Sequence, residues 1–232
     1  MVSKTTHFSD AALAWQQWNL TDFSSKSEHL LRLAQALELD AADFAQVITY
    51  HLNSARTRIA EGQLLVGPTG ETNELYSSGR GVVVLLHKRS GVNASLAVVA
   101  QLAAALIAGN SILLCSDDTP LNSRLASALE NSCFPVHLVQ IVAVEAFNQI
   151  MTCDVRQVGM ICEPQDARQV NQELSKRPGV IISPVIETDL DQLPMAHDAA
   201  LVLRFITERT RTINITAIGG NASLLEMGSS NH

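Results

Sequence analysis

The sequence predicts an α/β fold: a doubly wound parallel sheet with helices before it and a C-terminal β-flap after it. Two observations predict the sheet. Short runs of β-branched and aliphatic residues alternate with segments of helical periodicity, and one such segment joins the first two runs. The flap is indicated by the tail at 209–216, whose residues alternate between apolar and polar. The 232 residues are enough to bury a sizeable core.

The clearest strand–helix–strand unit lies between Gly79 and Pro120. The run 81–86 is continuously β-branched and aliphatic, which is typical of a strand buried on both faces. From 94 to 108 apolar residues recur at steps of three and four, and Gly109-Asn110 provides a C-terminal stop for a helix. The run 111–115 predicts a second buried strand. Parallel strands need such a crossover, so the unit is predicted to be a βαβ motif.

Before this unit the sequence predicts three amphipathic helices that cover the sheet. Ser9-Asp10, the segment 24–27 and Asp40 are the predicted N-terminal caps of the three. The segment 67–70 contains two glycines and a proline and predicts a turn. We expect the segment 71–78 to follow it as an extended edge strand.

After Pro120 helices and strands continue to alternate, which favours a parallel doubly wound sheet. The predicted helices are 121–131, 144–151 and 166–176, and the predicted strands are 137–142, 158–162 and 180–182 continuing through 185–186. In the tail, Gly219-Gly220-Asn221 predicts a turn that sends the chain into a second segment, so the flap should be hairpin-like. Its apolar face, which includes Ile213 and Ile215, needs a surface to lie on.

These patterns predict three parts of the chain. Residues 1–66 form an N-terminal helical segment that packs on the core, residues 67–203 form the sheet domain, and residues 204–232 form the C-terminal β-flap.

Charge and hydropathy exclude several classes of partner. The chain carries 16 Lys and Arg against 23 Asp and Glu, a formal net charge of -7, and its pI is about 5.4. Its basic residues do not collect in one patch, so neither nucleic acid nor an anionic membrane surface is expected to bind. No run approaches the roughly 20 apolar residues that span a bilayer, and the N-terminus has no hydrophobic signal core. We therefore expect a cytoplasmic protein without membrane insertion.

The cysteines and histidines do not predict a metal site. The four cysteines lie far apart, without a CxxC pair or a histidine at zinc-finger spacing, so we expect buried free thiols. Histidines that could converge lie on different predicted elements: His51, His87, His137 and His197. We expect these histidines to be hydrogen-bonded within the protein or solvated, and not to bind a metal.

Several segments together carry a resemblance to a known family. They are 28–38, 67–75, 79–82, 101–110 and 119–120, within a match over about residues 28 to 190, and the more specific tail 205–222. In these segments the chain resembles the aldehyde dehydrogenase superfamily. It is most similar to the pyrroline-5-carboxylate dehydrogenase part and the C-terminal dehydrogenase-like and flap region of proline utilisation A proteins. The resemblance implies a Rossmann-like sheet domain, as the residue patterns also predict.

The chain departs from this family at the positions that hold the cofactor. The family's lysine, which binds the adenosine ribose of NAD, is replaced by Leu114, and only an acidic residue, Asp117, remains of the motif that follows. The turn that approaches the pyrophosphate contains Glu163 and a proline instead of bare backbone amides. We therefore expect no cofactor. Asn93 is a candidate, by offset, for the asparagine that stabilises the oxyanion, but its aromatic and proline neighbours are absent; the alternative is a polar residue at a helix N-terminus.

The catalytic positions also depart from the family. Glu187 coincides with the general base, but the glycines that follow it in the family are replaced, so the position is expected to be vestigial. Cys162 is a conceivable nucleophile near Glu187, although a buried thiol at a strand end is the favoured interpretation. Beyond 190 the sequence passes directly to the flap, whereas the family continues into a domain with the nucleophilic cysteine.

The resemblance implies a role as well as a fold. In proline utilisation A proteins with an additional C-terminal dehydrogenase-like domain, that domain and its flap cover the pyrroline-5-carboxylate dehydrogenase module and help to close its substrate tunnel. The sequence therefore predicts a non-catalytic domain that docks on such an enzyme or forms a homodimer through the flap. The expected interface residues are Thr212, Ile213, Asn214, Ile215, Gly219, Gly220 and Asn221.

Two alternatives remain open from the sequence. The chain could be a divergent or truncated NAD-dependent aldehyde dehydrogenase with residual cofactor binding. It could also bind a small regulatory metabolite in the crevice at the carboxyl ends of the strands, where such folds usually bind ligands.

Overall fold

A computed structural model of the chain describes residues 4–67 and 71–214. These residues belong to two compact units. The larger unit contains the chain up to residue 60 and residues 78–207, and the smaller unit contains residues 61–77 and the chain from residue 208 onward.

The element order begins with helices and then alternates. The helices are α1 (Lys4–Leu20), α2 (Phe23–Leu37), α3 (Ala42–Ile59), α4 (Val92–Ile107), α5 (Thr119–Glu130), α6 (Phe147–Ile150) and α7 (Pro164–Ser175). The strands are β1 (Gln63–Leu65), β2 (Glu71–Gly79), β3 (Val82–His87), β4 (Ser111–Ser116), β5 (Val139–Val142), β6 (Gln157–Ile161), β7 (Val185–Glu187) and β8 (Ile206–Asn214). Short 3₁₀ turns cover Val144–Ala146 and Leu201–Arg204.

The larger unit contains a five-stranded parallel sheet in the order β5-β4-β3-β6-β7. The first strand, β3, lies in the centre, with β4 on one side and β6 on the other. The chain thus winds outward in both directions from β3, which confirms the predicted doubly wound α/β fold. Because parallel strands end at the same edge, the segments that follow β3, β4, β6 and β7 come together there.

Alternation along β3 separates two apolar cores. Val83 and Leu85 face the core formed with α2, α3 and α4, whereas Val82, Val84 and Leu86 face the core formed with α6 and α7. Helix α4 is apolar on nearly all sides, and 13 of its 16 residues are buried. Its many alanines allow the sheet and the covering helices to approach it from opposite sides.

The end of α4 is a crowded junction. The N–H of Gly109 donates to Leu106 and the N–H of Asn110 to Ala105, at 2.9 and 3.1 Å, which is the Schellman pattern of a helix C-terminus. Gly109 has φ +94°, and a Cβ on neighbouring Gly79 would lie 2.4 Å from the Gly109 carbonyl oxygen. The predicted glycine stop of this helix is therefore confirmed, and the close approach explains why glycine occupies both positions.

The side chain of Asn110 connects three segments at this junction. It is fully buried. Its Oδ1 accepts from Gly81 N–H at 3.1 Å, while its Nδ2 donates to the carbonyl oxygens of Ala105 at 2.9 Å and Phe205 at 3.0 Å. The end of α4, the start of β3 and the segment before β8 are thus held by one amide group.

Some predicted helix starts are wrong. Helix α1 begins at Lys4, so Ser9-Asp10 lies inside it and does not cap it. Asp22 caps α2 by accepting from Ser25 N–H at 2.8 Å, upstream of the predicted capping segment. Helix α3 begins after Ala41, without a side-chain cap, so Asp40 does not have the predicted role.

Two predicted strands also differ. Residues 180–182 do not extend the sheet; Ile181 is 86% exposed, and the last strand consists of Val185–Glu187 alone. Residues 180–182 are apolar, but in the described ranges they pair with no neighbouring strand and so do not form one. The strand predicted from His137 begins at Val139, because His137 adopts φ +64°, a conformation incompatible with an extended strand.

The smaller unit contains a three-stranded sheet in the order β1-β2-β8. β1 and β2 are antiparallel, with Gln63 opposite Leu75. The predicted edge position of segment 71–78 is wrong, because β2 is the central strand. The predicted strand of the flap is confirmed as far as Asn214, and Ile215, Gly219, Gly220 and Asn221 lie outside the described residues, as do residues 68–70 of the predicted turn.

We predict that Asn110→Ala lowers the free energy of unfolding by about 2 to 3 kcal/mol, because it leaves the N–H of Gly81 and the carbonyl oxygen of Phe205 without a partner and removes one of the two bonds to the Ala105 carbonyl. Urea denaturation measures this change. The control is Asn171→Ala on the exposed surface of α7, which should change stability by less than about 0.5 kcal/mol. Equal stability of the two variants would contradict the role given to Asn110.

Candidate functional site

A cavity of about 880 Å³ opens at the carboxyl ends of β3 and β4. Residues 87–92 form one wall, residues 117–121 form another, and Phe44, Ser95, Arg124 and Val144 complete the lining. The cavity lies where doubly wound sheets commonly bind ligands. All of its lining residues belong to the larger unit.

The N-terminus of α7 lies beside this edge and is occupied by ion pairs. Glu163, at the N-cap position, pairs with Arg89 at 2.7 Å, and Asp166 pairs with Lys88 at 2.6 Å. Pro164 opens the helix and has no N–H to offer. Two carboxylates therefore complement the positive end of this helix dipole, at the position where a phosphate group would otherwise be stabilised.

The three positions expected to be cofactor-binding relics do not converge. Leu114 is fully buried in the apolar core with Ile112 and Leu125, not in the cavity lining. Asp117 lines the cavity, and its Oδ1 accepts from Val144 N–H at 3.1 Å. Glu163 is at the α7 terminus in its pair with Arg89.

Glu187 is used to hold a backbone segment. Its side chain is buried, and its Oε2 accepts from the N–H groups of Met195 at 2.8 Å and Ala196 at 3.3 Å. Helix α3 holds the same segment from the other side. The Nε2 of His51 donates to the carbonyl oxygen of Ala196 at 2.9 Å, and the hydroxyl of Tyr50 donates to that of His197 at 2.9 Å.

Cys162 and Glu187 project to opposite faces of the sheet. Glu187 is paired in register with Ile161, so the two share a face, whereas Cys162 follows Ile161 and joins the opposite core. Burial raises the pKa of the Cys162 thiol to about 11, which keeps it protonated and weakly nucleophilic at neutral pH. This geometry does not support Cys162 and Glu187 as a catalytic pair.

The four cysteines are free thiols, as predicted, but they are not all buried. Cys115 and Cys162 are buried, and burial raises the pKa of Cys115 to about 12. Cys153 is half-buried and Cys133 is exposed. The expectation of burial is therefore wrong for Cys133, which lies in the turn after α5 with φ +56°.

Asn93 lies in the first turn of α4, where its side chain is already engaged. Its Nδ2 donates to the carbonyl oxygen of Leu190 at 2.7 Å. The amide that could have stabilised an oxyanion thus ties the segment after β7 to α4. As an oxyanion-stabilising group, the Asn93 amide would donate to a substrate. The bond to Leu190 instead favours the alternative, a polar residue at a helix N-terminus.

The sequence predicts His87 only as one of four scattered histidines, satisfied or solvated, whereas the structure places it in the cavity. It ends β3, is 3% exposed and lines the cavity. Its Nδ1 is 3.0 Å from the hydroxyl oxygen of Ser116 on β4. Burial lowers the pKa of His87, while the nearby Asp118 carboxylate opposes the effect. The sequence signal for its role is that His87 is the only polar residue of β3 and stands at the carboxyl end of the strand.

The described part of the flap is exposed. In β8 the hydroxyl of Thr212 donates to Asn73 Oδ1 at 2.5 Å, and Arg211 pairs with Glu74. Ile213 is 47% exposed. Of the expected interface residues, Thr212, Ile213 and Asn214 therefore lie on an accessible strand of the smaller unit.

Among residues 4–67 and 71–214 no helix is both long and apolar enough to cross a membrane. Nor do three or more His, Cys, Asp or Glu side chains come together there in a way that could hold a metal ion.

No protein-family model and no curated protein matches the chain. Solved structures do match it. A variant of proline utilization A from Bradyrhizobium japonicum aligns over 80% of this chain with 22% identity and a TM-score of 0.69. The 1-pyrroline-5-carboxylate dehydrogenase from Thermus with bound NAD aligns over 80% with 16% identity and a TM-score of 0.69. This chain has an aldehyde-dehydrogenase-like fold.

An NAD-dependent benzaldehyde dehydrogenase from Corynebacterium glutamicum has the same fold over 80% of this chain, with 20% identity and a TM-score of 0.62. The alignments cover 22%, 42% and 46% of the proline utilization A, Thermus and Corynebacterium chains, respectively. The aldehyde-dehydrogenase-like chain thus spans less than half the length of each. The resemblance found in its sequence is confirmed at the level of the fold.

We predict that the protein becomes less stable as the pH decreases from 6.5 to 4, because of His51. Burial lowers the pKa of its imidazole from 6.5 to about 4, so the folded protein disfavours the proton that the unfolded chain accepts. The contribution of neutral His51 to the free energy of unfolding is complete above pH about 6.5 and is lost as the pH falls through 4. The loss at pH 4 is about 3 kcal/mol. Urea titrations at several pH values measure it.

The matched variants are His51→Gln and His197→Gln. Glutamine at 51 retains a donor for Ala196 without a titrating ring, so the pH dependence over this interval should become shallower. Replacement of the exposed His197, whose charge makes only the smallest contribution to the lowered pKa of His51, should change the slope much less. A His51→Gln variant that retains the full slope would show that other groups cause it.

Proposed function

We propose that this chain is a non-catalytic aldehyde-dehydrogenase-like domain with a structural or oligomerisation role. In this proposal it covers, or associates with, a pyrroline-5-carboxylate dehydrogenase module of proline catabolism. The observation that carries the proposal is the engagement of Glu187. A general base must be oriented toward a reacting group to accept its proton, whereas this buried carboxylate is held against a backbone segment, with its Oε2 accepting from the N–H groups of Met195 and Ala196.

The surroundings of α7 support the absence of a cofactor role. The pairs Arg89–Glu163 and Lys88–Asp166 connect the segment after β3 to the first turn of α7. A dinucleotide bound across this edge would have to break both pairs and face two carboxylates with its own negative charge. Leu114 offers no polar group to a ribose. We accordingly infer that NAD is not a ligand.

The flap supports the proposed partner. β8 exposes Thr212, Ile213 and Asn214, and the sequence continues through Ile215 to Gly219-Gly220-Asn221. Solved structures with this fold include bifunctional proline utilization A. We propose that the flap, residues 204–232, contacts either such an enzyme or a second copy of this chain, while residues 1–66 and 67–203 form the supporting helical segment and sheet domain.

We predict that Ile213→Asp weakens association at least tenfold, because a charge would be buried at an interface centred on an apolar side chain. Size-exclusion chromatography with light scattering, on the chain alone and mixed with a flapless pyrroline-5-carboxylate dehydrogenase, measures complex formation at micromolar concentration. Ile181→Asp is the matched control, since Ile181 is an exposed isoleucine in the larger unit.

The two partners give different results in this experiment. Self-association without the enzyme indicates a homodimer, and a complex only with the enzyme indicates docking. A chain that stays monomeric in both mixtures contradicts the proposal. Equal effects of the two aspartate variants would show that the contact does not involve the flap.

A second candidate function is a divergent or truncated NAD-dependent aldehyde dehydrogenase with residual cofactor binding. The cavity at the ends of β3 and β4 favours it, because its volume of about 880 Å³ could hold a large ligand.

Calorimetric titration with NAD separates the candidates. We predict no saturable binding tighter than about 1 mM, or roughly -4 kcal/mol, because the α7 terminus already holds two carboxylates. The Thermus pyrroline-5-carboxylate dehydrogenase, whose structure contains NAD, is the positive control. Tighter binding by this chain would favour the dehydrogenase and contradict the non-catalytic role.

A further inference from the structure

The floor of the cavity contains a buried polar group without a protein partner. Leu86 faces the core of α6 and α7, so the next residue, His87, projects to the α4 face, where Phe44, Ser95 and Leu121 line the cavity. Within the described part of the chain, the Nε2 atom of His87 has no hydrogen-bond partner. An unpartnered buried polar atom destabilises the fold, so a group that satisfies it is expected.

The hydrogen-bond network favours the tautomer in which this atom is a donor. The Ser116 hydroxyl oxygen accepts from Asp118 N–H at 3.2 Å, so its own hydrogen is free to reach His87 Nδ1 at 3.0 Å. The imidazole is neutral at neutral pH because burial lowers its pKa, and a neutral ring that accepts at Nδ1 carries its proton on Nε2. The missing partner of His87 is therefore an acceptor.

The N-terminus of α4 adds further donors to the same cavity. The helix has 16 residues, and its N-cap position is Gly91, which provides no side-chain hydrogen bond. The first intrahelical bond at this end is donated by Ser95 N–H to Gly91 O, which leaves the N–H groups of Val92, Asn93 and Ala94 outside the helical ladder. Gly91 and Val92 line the cavity, and a Cβ on Gly91 would meet nothing within 4 Å. Backbone amides and the helix dipole at such an end favour an anion.

The charges around the cavity leave one cation available. Lys88 and Arg89 are paired with α7, whereas Arg124 lines the cavity on α5 and has no ion-pair partner among the described residues. Each of the two carboxylates of the lining accepts a backbone N–H group and keeps its charge. Asp118 accepts from Leu121 N–H at 2.9 Å, and Asp117 accepts from Val144 N–H.

We infer that this cavity binds a small metabolite through a terminal carboxylate or phosphate group, held by His87 Nε2–H, the first-turn amides of α4 and Arg124. The site differs in place from the α7 terminus, where acidic side chains exclude an anion. Its volume leaves room for the rest of a small ligand beyond the anionic group. Binding here is independent of the proposed docking of the flap, so either can fail alone.

Backbone amide NMR of the full chain tests the site directly. Inorganic phosphate and acetate are titrated separately at constant ionic strength, with chloride as the reference. We expect saturable shifts of the Val92, Asn93 and Ala94 amides with a Kd below about 10 mM for at least one of the two. Tighter phosphate binding assigns a phosphate-bearing ligand, and tighter acetate binding assigns a carboxylate-bearing one.

Two variants and one control identify the groups that hold the anion. His87→Leu removes the buried donor, and Arg124→Ala removes the exposed cation on a helix surface where folding is little affected; each should weaken binding at least tenfold. Arg168→Ala, an exposed arginine of α7 outside the cavity, should bind as the parent chain does. No saturable shift of the three amides with either anion overturns the inference, and so does undiminished binding by Arg124→Ala.

Discussion

The fold depends on how helix α4 ends. A helix buried between a sheet and two covering helices cannot leave its last carbonyl groups to water, so each needs a partner within the protein. The Schellman turn at Gly109 satisfies the carbonyl groups of Ala105 and Leu106, and the side chain of Asn110 adds a second bond to Ala105 while binding the start of β3 and the segment before β8. One buried amide thereby fixes where the central strand begins relative to the helix that follows it.

Most polar side chains at the carboxyl ends of the strands bind other segments of the protein. Glu187 holds the segment at 195–196, Asn93 holds Leu190, and the two cations after β3 hold α7. In each case a side chain that could act on a ligand is bonded to the protein itself. His87 differs, because one of its ring nitrogens has no such bond. At this edge of the sheet, therefore, most polar side chains bind other parts of the protein, and His87 faces the cavity at the ends of β3 and β4.

Much of the fold was predictable because its signals are local. The apolar runs of β3 and β4 and the glycine stop after α4 predict a βαβ unit without knowledge of any contact. The errors arise where the deciding partner is distant in sequence. Nothing near Glu71 reveals that β2 has a neighbour on both sides, and nothing near Ile181 reveals that its run pairs with no strand. The site was less predictable, since the ties of Glu187 and Asn93 depend on segments after β7 that the motifs do not mention.

The ties at this edge differ in their exposure to solvent. The Glu187 carboxylate is almost completely buried, so dissolved ions scarcely screen its bonds. The pairs of Lys88 and Arg89 lie at the surface, with the Glu163 side chain 58% exposed, and such pairs contribute only about 0–1 kcal/mol. At a Debye length of about 8 Å in physiological salt they are already partly screened. The bonds that hold the segment after β3 are consequently more sensitive to ionic strength than those that hold the segment after β7.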